Sequence, residues 1–214
     1  MNRENFIQNL AQDVKPVKVV STVTHQLSLW ILLGALSSIV VAYSMSFLFP
    51  SFGWASARYE SSLFWAEQIL LLVAAVSSAW TAILLSRPGR DQLFTKVMSV
   101  GTLLLWSILG VSFFDSFLVE KFSQMPVMAG YKCLLVSAVS AIPAGALMSY
   151  NLKKGHILNK PQAVFFAFMA VTSLGAFALQ FFCPNVDGLI KLVWHILPIY
   201  ALSSIFYFVT ARKA

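Results

Sequence analysis

Residues 62–86 read SLFWAEQILLLVAAVSSAWTAILLS, an apolar run in which Glu67 is the sole ionisable side chain. A helix rises 1.5 Å per residue, so about 20 such residues cross a hydrocarbon core of about 30 Å. The run is long enough and pure enough to be a membrane span. Five more runs of the same kind flank it, at Gln26–Phe49, Val97–Phe117, Gly130–Tyr150, Pro161–Phe182 and Gly188–Thr210. The pattern predicts an all-α membrane protein, a bundle of six transmembrane helices.

Composition agrees. Of the 214 residues, 58% are hydrophobic and 11% charged, against about 25% charged in an average soluble domain. Six spans use up most of the chain. What remains is one membrane domain over residues 26–214 and a polar N-terminal segment over residues 1–25. That segment lacks an apolar stretch followed by a small-residue cleavage site, so the first span itself is expected to direct insertion.

The net charge of +7 does not point to nucleic acid, because the basic residues are scattered between spans and do not form one basic face. They read as orientation signals. With the N-terminus assigned to the cytoplasm, cytoplasmic segments hold Arg3, Lys15, Lys18, Arg87, Arg90, Lys96, Lys153, Lys154, Lys160, Arg212 and Lys213. Outer segments hold only Arg58, Lys121, Lys132 and Lys191. The positive-inside rule then places both termini in the cytoplasm. Small residues at helical spacing (Ala74, Ser78 and Ala82 in the second span; Ser137, Ala141 and Gly145 in the fourth) predict close helix contacts. Pro143 is expected to kink the fourth span locally.

Under this orientation the chain's two cysteines, Cys133 and Cys183, reach the same outer face. They can form a disulfide there, bind a soft metal as thiolates, or be small apolar residues that landed there by chance. An outer polar layer shares their level: Glu67, Asp115, Lys132, Asp187, Lys191 and His195. A charge in the bilayer interior is costly, so these groups either pair around a wet crevice or coordinate something from outside. His195 joins the cysteines as a candidate metal ligand, since imidazole and thiolate both bind zinc-like ions.

Signs of catalysis are missing. There is no CxxC, no phosphate-cradling glycine loop, no HExxH and no GxSxG. His25 and His195 fall at opposite faces and cannot clasp one haem. Neither a two-half repeat nor paired broken helices suggests a transporter.

Between Asn2 and Val14 the apolar residues Phe6, Ile7, Leu10, Ala11 and Val14 make one helical stripe. Lys15 before Pro16 should end that helix. Three turns are marginal alone in water. The stripe is therefore expected to dock on the membrane interface, on the inner loops, or in a partner's groove.

Several short elements together resemble the NrsF-like family, negative regulators of an extracytoplasmic-function sigma factor. They are Leu10 to Lys18 (LAQDVKPVK), Arg87-Pro88-Gly89-Arg90, Tyr131-Lys132-Cys133-Leu134, Cys183-Pro184 and Trp194-His195. They cover nearly the whole chain in order. The resemblance implies a non-enzymatic anti-sigma factor of the bacterial inner membrane. It would act on transcription through an ECF-type sigma factor, with no direct nucleic-acid contact and no cofactor beyond transient soft metal at Cys133 and Cys183. A sigma-binding surface is then expected at Phe6, Ile7, Leu10, Val14, Lys15, Pro16 and Lys18, and a stress sensor, for metal or oxidant, at the two cysteines. The alternative is a small membrane thiol oxidoreductase or transporter using the same outer layer.

Overall fold

The computed structural model describes residues 22–48, 59–87, 93–112, 131–155, 157, 159–183 and 191–212. Among them there is no strand. Six helices are long and apolar enough to cross a membrane: α1 (Val23–Ser46), α2 (Ser62–Leu85), α3 (Leu93–Ser112), α4 (Tyr131–Lys153), α5 (Lys160–Gln180) and α6 (Leu192–Ala211). The N-terminal stripe, including Phe6, Ile7, Leu10 and Val14, lies outside the described residues, as do Lys15, Pro16 and Lys18.

Local chemistry sets the helix ends. Thr22 caps α1 by accepting from the His25 N–H at 3.4 Å. Asn159 does the same for α5 with Gln162 at 3.2 Å, and Pro161 occupies the first turn, where its missing N–H costs nothing. The third helix starts at Leu93, four residues before the Val97 read from the sequence. Lys96 does not end the apolar run: its ammonium reaches the neighbouring helix and bonds the Gln162 amide oxygen at 2.9 Å. The fourth helix runs on through Pro143 and past Tyr150 to Lys153.

Hydroxyls are admitted to the spans by bonding backward. Ser37, Ser77, Thr81, Ser107, Ser140 and Thr172 each donate to the carbonyl four residues earlier. This pairs each of these six hydroxyls in its apolar setting, while Ser38, Ser78, Ser173 and Ser203 are buried with no hydrogen-bond partner among the described residues.

α2 and α5 form the centre. Each has 61% of its spanning window buried, against 22–33% for the other four. They pack on each other; α3 and α6 flank them, and α1 and α4 pair alongside. In lipid, packing and not apolar transfer holds helices together, so small residues decide where they meet. Ala74, Ser78 and Ala82 of α2 are all fully buried. Gly175 of α5 lies so close to α4 that a Cβ there would sit 2.6 Å from the Ser137 carbonyl and 3.0 Å from the Ala141 Cβ. Trp30 of α1 is buried too, its indole N–H bonded to the Ala144 carbonyl at 2.9 Å. The periphery is greasy, with Leu32, Leu36, Ile108 and Ile142 largely exposed. Such faces suit hydrocarbon and not water.

Candidate functional site

One end of the bundle gathers the start of α4, the end of α5 and the start of α6. Cys133 is the third residue of α4, and Cys183 follows α5 with its backbone N–H bonded to the Leu179 carbonyl at 2.9 Å. Their sulfurs are 3.2 Å apart. Both are buried among Ala42, Val136, Ala178, Leu179 and Phe182.

His195 completes the group. A ligating atom of each of Cys133, Cys183 and His195 lies within 4.8 Å of the others. The imidazole is buried, and neither of its nitrogens has a hydrogen-bond partner among the described residues. It sits in a π-helical turn, Leu192–Ile196, closed by the Leu197 N–H bonding five residues back to the Leu192 carbonyl. Pro198 follows at the first turn of regular helix, where its lack of an N–H is tolerated. Turns widened in this way recur at functional sites.

The polar layer divides into pairs. Lys191 donates to both oxygens of Glu67, at 2.7 and 2.8 Å, and both side chains are buried. They close on each other inside the protein and do not line a wet crevice. Next to Glu67 on α2, Gln68 donates to the Gln180 amide oxygen near the end of α5. The sequence reading missed this pair, although two glutamines inside apolar runs were a usable signal. Lys132, beside Cys133, is partly buried. Asp115 and Asp187 lie outside the described residues.

Two chemistries are open to the cluster. Loss of two protons and two electrons to an oxidant would join the sulfurs in a bond of about 2.05 Å, which needs only a small approach from their present spacing. A soft ion could instead take both thiolates and the imidazole, at about 2.3 Å and 2.0–2.1 Å for zinc. The residues fit such an ion, because the histidine is buried with both nitrogens unengaged.

The opposite end carries different groups. Arg87, after α2, donates to the Gln26 amide oxygen of α1 at 3.2 Å, and Lys96 bonds Gln162. The N-terminal segment joins α1 at this end.

Comparison with curated proteins finds no match, and comparison with solved structures finds none. A family model described as negative regulator of sigma F, NrsF, matches residues 10–212, nearly the whole chain. The chain, whose described residues include six helices long and apolar enough to cross a membrane, therefore belongs to the NrsF family of negative regulators of sigma F.

Proposed function

We propose that the protein is a membrane-embedded anti-sigma factor of the bacterial inner membrane. It holds an ECF-type sigma factor at its cytoplasmic face and releases it when a periplasmic metal or oxidant reaches Cys133 and Cys183. Residues 1–25 form the sigma-holding segment and residues 26–214 the sensing membrane domain. The observation that carries this reading is the buried cluster of two sulfurs 3.2 Å apart with an unpartnered imidazole beside them. Family membership supplies the regulatory role. The charge bias supports an orientation with both termini inside, and under that orientation the cluster lies toward the periplasm and the N-terminal segment toward the sigma factor.

The stripe of Phe6, Ile7, Leu10 and Val14 is suited to burial in a groove of the partner, with Lys15, Pro16 and Lys18 leading back to the membrane. The test is twofold. Tagged protein extracted in detergent should bring a sigma factor with it. Cys133→Ser and Cys183→Ser should each keep repression and abolish the response to cadmium or peroxide. Intact-mass measurement then separates the two signals, since a disulfide removes two hydrogens and a bound ion adds its own mass. A normal response in both serine variants would end the sensing role of the pair.

A further inference from the structure

We propose that Glu67 and Gln68 are positioning residues for the thiol–imidazole cluster, and that through them α2 carries the cluster's state to the opposite end of the bundle. The second half rests on the cluster being the sensor. The first half stands on geometry alone.

Glu67 and Gln68 are consecutive, so their side chains leave α2 about 100° apart and reach two different neighbours. Glu67 holds Lys191, four residues before His195, by both carboxylate oxygens. Gln68 holds Gln180, three residues before Cys183. Adjacent positions of one helix thus fasten the two chain segments that deliver His195 and Cys183. Cys133 comes from α4, which neither bond touches. The cluster is therefore split between α4 on one side and a unit of α2, α5 and α6 on the other.

Such fastening is not needed to bury apolar surface, and buried charge is costly in a membrane domain unless paired. Its placement is what gives it a use. The π turn between Lys191 and His195 contains an extra residue, so the start of α6 has a second arrangement close by, the regular α turn. With Lys191 tied to Glu67, a pull on His195 or Cys183 toward Cys133 cannot be absorbed in α6 alone and reaches α2.

At its far end α2 has little slack. Ser86 is buried, and a Cβ on Gly155 would sit 2.6 Å from its hydroxyl oxygen and 2.7 Å from its carbonyl. Arg87 grips Gln26 near the start of α1. Displacement of α2 would therefore be felt where the N-terminal segment joins the bundle.

The test uses the full chain in lipid nanodiscs with phenylarsine oxide, whose arsenic binds two neighbouring thiols and releases water. The capture rate reports how well the sulfurs are placed. Glu67→Gln and Gln68→Leu should each slow capture by about tenfold or more, as misplaced reacting groups do. Exchanging the charges, Glu67→Lys with Lys191→Glu, should restore the rate and also covers the case in which Glu67→Gln fails to insert. Hydrogen exchange gives the second reading: capture should change protection at residues 82–87 in the native protein and leave it unchanged in Glu67→Gln. A merely stabilising role would leave that far-end response in place. Capture at the native rate in both single variants overturns the positioning role. An unchanged far end in the captured native protein overturns the role of α2. The cysteine variants in cells decide the sensor reading separately, so the two can fail independently.

Discussion

The two ends of the bundle handle polar groups in opposite ways. Where α4 begins, Glu67, Lys191, Gln68, Gln180 and His195 are all nearly sealed from solvent, and the charged pair is held by two short bonds. At the other end Lys96 and Arg87 each bond an amide oxygen and remain partly exposed. A cavity of about 310 Å³ opens there between α3, α5 and α6, with Lys96 and Tyr207 on its wall. Lys154 at the end of α4 lies over the Tyr150 ring at 4.0 Å, also exposed. A dry layer whose charges are paired is expensive to disturb and so tends to adopt discrete arrangements. A wet layer yields gradually, because water replaces any partner that leaves. The first end is built to hold a state, the second to yield by degrees.

The largest expected effect breaks the dry end. Glu67→Met leaves the Lys191 ammonium buried without its partner, which should cost about 3–5 kcal/mol. Removing both charges, Glu67→Met with Lys191→Met, should cost much less, since no lone charge remains. Reversible unfolding in mixed micelles measures both. If the single and double variants are equally stable, the pair is not desolvated as its burial implies.

The next effect concerns the segment attached to the wet end. Leu10→Asp puts a charge in the proposed sigma-binding stripe and should weaken binding by about 2 kcal/mol, roughly thirtyfold. Target promoters should then fire without stimulus at a normal membrane level of the protein. Continued silence would move the binding surface to the inner loops between spans.

How much of this was legible in the sequence follows from the range of each interaction. The six spans were readable because length and apolar purity are properties of a single segment, and α2 was recognisable from residues 62–86 alone. Which helices lie at the centre was not. α2 and α5 differ little in composition from α1 and α6, and only the small residues Ala74, Ser78 and Ala82 hinted at a buried face. The cysteines and His195 could be placed at one level by counting along each span. That their reactive atoms converge depends on helix order and rotation, which no single span encodes. The Glu67–Lys191 pairing joins residues 124 apart, and the π turn shows in the sequence only as Pro198 just beyond it. Lys96 misled the reading of α3 because a lysine in the first turn can bond sideways to a neighbouring helix.

The smallest effect sharpens the contrast from the wet side. Lys96→Met keeps a flexible stem of similar length and removes only the ammonium and its bond to Gln162. Interhelical hydrogen bonds in membrane proteins average about 0.6 kcal/mol, and the Gln162 amide borders the cavity and can bond water once freed. The stability change should therefore stay within about 1 kcal/mol, and capture of Cys133 and Cys183 by phenylarsine oxide should proceed at the native rate. Glu67→Met in the same assay should lose both stability and capture. A Lys96→Met protein as unstable as Glu67→Met would mean that its single bond is as desolvated as the buried pair, and the distinction between a state-holding end and an accommodating end would fall with it.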